Sequence, residues 1–320
     1  MAKYRHALPQ RGGDLFLTDG GIETTLIFHY GLQLPHFAAF DLLRSQAGEE
    51  ALRRYFRTYA ALAHKHQTGL VLETATWRAS SDWAHKLNCS SAELAQINRR
   101  SVTLLEEIRA EYESPSTPIV ISGCVGPRGD GYVPGERMSA GDAQRYHAVQ
   151  VETLANAEVD SMAAITMNYV EEALGIVRAS NAAGVPVVIS FTVEVDGRLP
   201  TGQSLGDAIS QVDDVTSAYP LYYMINCAHT SHFSGALDDD KPWRQRIRGL
   251  RANASSMSHA QLNEAPELDA GDPQALGQDY AALRREKLRN LNVIGGCCGT
   301  DDRHVEQMAI ACLPLFRGAP

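Results

Sequence analysis

The chain has 320 residues, 44% of them hydrophobic and 21% charged, which provides a large core and excludes a disordered chain. Its formal net charge of −9 leaves no global positive field, so neither nucleic acid nor an anionic membrane surface is an expected partner. The longest apolar runs, 185–193 and 221–227, fall far short of the roughly 20 residues of a membrane span, and the N-terminus meets Pro9 and a Gly12-Gly13 turn rather than a leader-like apolar stretch. The expected compartment is the cytoplasm.

In chain order, short β-branched or apolar runs predict strands at 15–18, 69–73, 118–122, 161–166, 186–192, 221–226, 247–252 and 292–294. Helical patterns between them cover 49–65, 92–112, 142–157, 170–183, 207–217 and 273–288. The sixth connection, 230–244, is rich in Asp and contains Pro242, and reads as a loop with a short turn. Eight strand-then-helix units predict an α/β protein with one closed (β/α)8 barrel, and an open doubly wound sheet is the competing architecture. No linker or repeat interrupts the alternation, so the expectation is one domain over 1–320. Residues 255–271 lack periodicity and follow a strand, which makes them a lid candidate.

Six cysteines without a secretion signal read as thiols or ligands rather than as a disulfide framework. The segment Gly295-Gly296-Cys297-Cys298-Gly299-Thr300 follows the last strand. Two adjacent thiols bind one metal only where the backbone turns sharply, and the flanking glycines allow the φ values such a turn needs. Cys227 ends the sixth strand, and in a barrel both positions fall on the C-terminal rim. Three thiolates suit Zn2+, and three protein ligands with one exchangeable position is the catalytic arrangement. His229 and His232 are the candidates for a fourth ligand that would close the site. A disulfide between Cys297 and Cys298 is the competing reading, strained and foreign to the cytosol. Cys89, Cys124 and Cys312 read as buried apolar thiols.

Such a site points to alkyl transfer to sulfur. Coordination deprotonates a thiol that otherwise ionises near pH 8.5, and three protein thiolates leave the bound sulfur nucleophilic. Water activation would call for histidine and carboxylate ligands instead.

Four stretches carry a family resemblance: Asp19-Gly20-Gly21-Ile22-Glu23-Thr24, Glu73-Thr74-Ala75-Thr76, Asn226-Cys227, and Gly295 through Thr300. In these the chain resembles the homocysteine S-methyltransferase family, which includes betaine-dependent and S-methylmethionine-dependent enzymes and the homocysteine module of methionine synthase. The resemblance implies the (β/α)8 barrel, zinc on Cys227, Cys297 and Cys298, and a small-molecule thiol acceptor with a sulfonium or quaternary ammonium methyl donor. S-methylmethionine or S-adenosylmethionine is the preferred donor, homocysteine the acceptor and methionine the product. No folate or cobalamin module is expected, and an oligomer is compatible with all of this. Asp19 takes the role of a family aspartate that holds the substrate amino acid. Glu73, Thr74 and Asn226 are the further expected substrate-side residues, and Gly126-Pro127 resembles a family loop that shapes the backbone.

The resemblance breaks after the fourth strand. Alignment on Val170-Glu171-Glu172-Ala173 puts Ile165 where the family has a glutamate that binds the substrate amine. Losing a charged hydrogen bond costs on the order of 1.5–3 kcal/mol. Either Glu23 or Glu194 replaces it, or the acceptor is another thiol or a selenol; a non-catalytic zinc- or thiol-binding barrel is the alternative of a different class. Arg78 stands where the betaine-dependent branch has a zinc-binding tyrosine, and a guanidinium has no free lone pair to give. Arg78 is instead suited to a carboxylate, and Trp77 to a cationic methyl donor.

Overall fold

The computed structural model describes residues 2–238, 240–264 and 267–317. Eight parallel strands close into a barrel in sequence order: β1 (Phe16–Leu17), β2 (Gly69–Glu73), β3 (Ile119–Val125), β4 (Ser161–Met167), β5 (Val187–Phe191), β6 (Tyr223–Asn226), β7 (Ile247–Ala252) and β8 (Val293–Gly296), with β8 pairing back to β1. The open doubly wound sheet is thereby excluded.

The principal helices are α1 (Gln46–His66), α2 (Ser91–Tyr112), α3 (Ala140–Asn156), α4 (Val170–Ala182), α5 (Leu205–Thr216), α6 (Thr230–Phe233), α7 (Pro273–Glu286) and α8 (Asp302–Cys312). Their starts are written in the sequence. Ser90, Ser139 and Ser204 each accept a hydrogen bond from the backbone N–H three residues on, at Glu93, Asp142 and Asp207, which satisfies an orphan first-turn donor and puts an acid at the positive helix end. The sixth connection is the one-turn α6 followed by 3-10 turns at Gly235–Leu237 and Pro242–Arg246, in keeping with its Asp-rich, Pro-broken sequence.

Along each strand, alternate side chains enter the barrel. Phe16, Val71, Val120, Val188, Met224 and Val293 form an apolar layer closed by Leu8 and Tyr222. Nearer the C-terminal rim the buried side chains turn polar, with Thr18, Glu73 and Arg251 two residues beyond Phe16, Val71 and Gly249. Charge therefore sits where barrel enzymes place chemistry.

Two strand ends differ from expectation. β8 extends through Gly295 and Gly296, so these glycines serve close approach rather than a turn. A Cβ on Gly295 would stand 2.7 Å from the Asp19 carbonyl oxygen, and one on Gly296 2.6 Å from Thr300 Cβ. Of the three glycines flanking the cysteine pair, only Gly299 has the positive φ, +80°, that favours glycine. β4 runs on to Met167 through a register shift, with Thr166 at φ +65°, a conformation a β-branched residue adopts only when its surroundings hold it.

Candidate metal centre and active site

Cys227 leaves β6 in the left-handed region, at φ +54°. Its N–H donates to the carbonyl of Arg251 (3.1 Å), while Cys297 N–H donates to Ala252 (2.9 Å), so β7 spaces the two cysteine-bearing strand ends. The carbonyl of Cys297 accepts from the backbone and hydroxyl of Thr300 (3.1 and 2.7 Å), and the carbonyl of Cys298 accepts from Ala254 N–H (3.0 Å). Gly21 packs so closely that a Cβ there would lie 2.5 Å from the Cys297 carbonyl oxygen. The Asp19-Gly20-Gly21 turn thus acts as a backplate for the Cys-Cys segment.

The result is a cluster in which the sulfurs of Cys227, Cys297 and Cys298 all lie within 4.8 Å of one another. Cys227 and Cys297 form a disulfide, their Cα atoms 5.4 Å apart, and Cys298 is free, so the reading of the cysteines as thiols or ligands is corrected for this one pair, whose sulfurs the barrel brings together. The Cys297–Cys298 disulfide weighed from sequence is not formed. His229 Nδ1 is engaged with Ser231 Oγ (2.8 Å) and His232 Nε2 with the carbonyl of Ser256 (2.8 Å), and neither belongs to the thiol cluster. Once the Cys227–Cys297 pair is reduced, three convergent soft donors, partly open to the rim at Cys297 and Cys298, match the demands of a thiolate-bound metal with an exchangeable position.

Asn226 is wholly buried and fully engaged. Its Oδ1 accepts from Thr166 N–H (3.0 Å) and Ser190 Oγ (2.6 Å), and its Nδ2 donates to Thr166 Oγ1 (2.8 Å). Asn226 therefore locks the β4 bulge, and Thr166 Oγ1 lies 4.0 Å from Cys227 Sγ. Thr74 is similarly occupied, accepting from Cys124 N–H (2.9 Å) and sharing a hydrogen bond with Thr76 Oγ1 (2.6 Å).

Asp19 and Glu73 are tied to Arg251, a residue that sequence reasoning passed over. Arg251 donates through Nη2 to Asp19 Oδ1 (2.6 Å) and through Nη1 to Glu73, while Tyr55 donates to Asp19 Oδ2 (2.8 Å). Burial raises the Asp19 carboxyl against the pull of Arg251, and pushes Glu73 up to about 7. The available signal for Arg251 was an arginine two residues beyond Gly249, at an inward position near the C-terminal end of β7.

Ile165 is buried against Cys124, Ala163 and Trp77, and its carbonyl accepts from the Trp77 indole (3.2 Å). Of the two acids considered as replacements, Glu23 lies in electrostatic reach of Cys298, Asp19, Arg78 and Arg251, with burial pushing its carboxyl up to about 7. Glu194 instead responds to Asp196 and His232.

Two rim loops cover the cluster. The loop after β3 carries Tyr132, whose hydroxyl is 3.6 Å from Cys298 Sγ. Its ring stacks on His259, centroids 3.9 Å apart, in the short helix His259–Glu264 of the lid candidate. Asn168 holds the first loop by donating to the carbonyls of Asp130 (2.9 Å) and Gly131 (3.1 Å), and Glu172 accepts from Arg128 N–H (2.7 Å). The lid candidate also includes 265 and 266, which lie outside the described residues.

A closed (β/α)8 barrel with a three-cysteine cluster at its C-terminal rim defines the class. The homocysteine S-methyltransferase family model matches residues 16–312, and the chain belongs to that family. It is 25% identical over 280 residues to methionine synthase of Mycobacterium leprae, covering 81% of this chain and 20% of that protein, so it spans about a fifth of that relative's length. It is 23% identical over 254 residues to homocysteine S-methyltransferase YbgG of Bacillus subtilis, covering 74% of this chain and 77% of that one. Among solved structures, the oxidized form of the homocysteine methyltransferase MmuM of Escherichia coli superposes with a TM-score of 0.74 at 20% identity, covering 95% of this chain and 98% of that one; its metallated form gives 0.72 at 19% identity with the same coverage. These superpositions establish the shared fold. No helix among the described residues is long and apolar enough to cross a membrane.

Proposed function

We propose that the chain is a zinc-dependent thiol methyltransferase, one catalytic unit over 1–320, that converts homocysteine to methionine using a sulfonium or quaternary ammonium donor. The observation that carries this reading is the convergence of Cys227, Cys297 and Cys298 from two strand ends to within 4.8 Å, in a member of this family. Bound there, zinc supplies a substrate thiolate at neutral pH without drawing off the electron density that the attack requires.

In the balanced reaction the thiol releases its proton to solvent, a sulfur–methyl bond forms, and the donor's methyl bond breaks with its electron pair leaving on the donor sulfur or nitrogen. The chain's own residues prepare this step. Asn226 and Thr166 fix Cys227, the Gly21 backplate fixes Cys297, and the Tyr132–His259 stack narrows solvent access to Cys298. Arg251 neutralises Asp19 and orients it with Glu73 beneath the cluster, and Glu23 takes the ammonium role left empty by Ile165. S-methylmethionine and S-adenosylmethionine are the preferred donors.

A second reading, another thiol or a selenol as acceptor, is favoured by one observation: Asp19 is already paired with Arg251. Zinc analysis of reduced protein purified without added metal, followed by methyl-transfer assays with homocysteine and other thiols against a donor panel, separates the two. One zinc per chain and turnover on homocysteine are expected. Full zinc retention in a Cys297→Ser, Cys298→Ser double variant would sink the metal assignment, and zinc-loaded protein inert on every pair would sink the enzyme.

A further inference from the structure

Arg78 follows β2 on the rim and is only 8% exposed, yet among the described residues it forms no ion pair and no hydrogen bond. Its Nε is buried without a partner. Its guanidinium carbon sits 3.7 Å from the ring centre of Trp83 and 4.5 Å from that of Trp77, so two indoles hold it. The indole of Trp77 donates to the Ile165 carbonyl (3.2 Å) and that of Trp83 to the Pro127 carbonyl (3.5 Å), which fixes both rings. Lys86 lies 3.7 Å from the Trp83 ring centre as well, adding positive charge nearby.

Aromatic faces stabilise the charge of a guanidinium but accept none of its five N–H donors. A buried cation left with open donors is costly, and the usual remedy, a carboxylate, is present nearby but unused. Glu23 and Asp130 act on Arg78 electrostatically without pairing with it. Arg78 is thus held rigid in a form suited to a planar anion, and a carboxylate matches its two-pronged donor edge. The acids around it disfavour a doubly charged phosphate and leave a monoanion as the fitting ligand. The location fits too: Trp77 touches Ile165, Tyr132 and Glu23 are in electrostatic reach of Arg78, and Tyr132 reaches Cys298.

We propose that Arg78 binds the carboxylate of the amino-acid substrate, with Glu23 on its ammonium, so that the zwitterionic head bridges two opposite charges that the protein keeps apart. The inference rests on the methyl-transfer reading only for the identity of the thiol.

The test uses zinc-loaded protein and three probes: L-homocysteine, 4-sulfanylbutanoate, which lacks the amine, and 3-aminopropane-1-thiol, which lacks the carboxylate. In Arg78→Gln the KM for homocysteine and for 4-sulfanylbutanoate should rise by about tenfold or more, with kcat little changed. The KM for 3-aminopropane-1-thiol should be unaffected, and Arg78→Lys should recover part of the loss. Equal effects on all three probes, or none, would overturn the assignment. Zinc content and melting temperature check that the variant folds. Because Trp77 and Trp83 flank the guanidinium, tryptophan fluorescence reads binding directly: a carboxylate-dependent change lost in Arg78→Gln supports the site even if no methyl is transferred, and its absence in the native protein argues against it.

Discussion

The guanidinium of Arg251 lies 2.6 Å from Asp19 Oδ1 and donates to Glu73 on the same side of the barrel, so one buried cation holds two buried acids. It also donates through Nε to the carbonyl of Gly296 (3.1 Å), the residue before Cys297, and its own carbonyl accepts from Cys227 N–H (3.1 Å). Arg251 therefore connects the acid floor of the site to both cysteine-bearing strand ends.

Arg251→Ala should destabilise the fold by about 3–5 kcal/mol, because it leaves Asp19 and Glu73 buried without their counter-charge. Urea unfolding measures this. Adding Asp19→Asn and Glu73→Gln to the same variant should restore a large part of the loss, since the penalty lies in stranded charge. A triple variant as unstable as the single one would mean that Arg251 acts through packing instead.

Glu73 gives the fold a pH dependence of opposite sign to that of a well-paired acid. Burial raises its carboxyl from 4.5 to about 7, with Arg251 opposing and Asp19 reinforcing. Between those values the folded chain keeps a proton that the unfolded chain has released. The folded state is therefore favoured most below about 4.5, and this contribution declines as pH rises through 7. The stability change between pH 5 and pH 7.5 should differ by about 1–3 kcal/mol between native protein and Glu73→Gln, which stays neutral throughout. Identical slopes would show that Glu73 ionises at its ordinary value.

Asn226 supports the cluster through backbone geometry. Its two hydrogen bonds with Thr166, with Ser190 bracing the amide through a third, hold Thr166 at φ +65° beside Cys227 at φ +54°, two conformations that cost energy unless the surroundings impose them. Asn226→Ala should lower zinc affinity by about 10- to 100-fold in competition with a chromophoric chelator, the range seen when groups behind metal ligands are removed. It should also cost about 1–3 kcal/mol for the donors left unsatisfied. Unchanged zinc affinity would reduce Asn226 to a purely structural residue.

The barrel was legible because each strand and helix is specified locally: short apolar runs and serine caps act within a few residues of themselves. The cysteine cluster was legible for a related reason, since residues on the C-terminal ends of barrel strands converge whatever the loops do. Arg251, Thr166 and Tyr132 were not. Arg251 acquires its meaning from acids 232 and 178 residues away, and Thr166 from a bulge that no periodicity announces. Tyr132 lies in a loop whose path is set by Asn168 and Glu172. The roles of Gly295 and Gly296 were misjudged for the same reason: the contact that excludes a side chain at Gly295 is with Thr18 and Asp19, at the other end of the sequence.

Tyr132 and His259 join the two rim loops above Cys298. Burial pushes the His259 imidazole down to about 4, so at neutral pH the ring is uncharged and stacks on the phenol as an apolar plate. Removing the plate should expose the thiol beneath it. In reduced, metal-free protein, Tyr132→Ala should raise the rate of Cys298 alkylation by iodoacetamide severalfold, read by peptide mass spectrometry. Tyr132→Phe keeps the stack and loses only the hydroxyl 3.6 Å from Cys298 Sγ, so it should leave the thiol as protected as in the native chain. If the phenylalanine variant reacts as fast as the alanine variant, protection comes from the hydroxyl–sulfur contact, and the two loops do not act as a joint cover. If neither variant differs from the native protein, Cys298 is reached by a route that Tyr132 does not block.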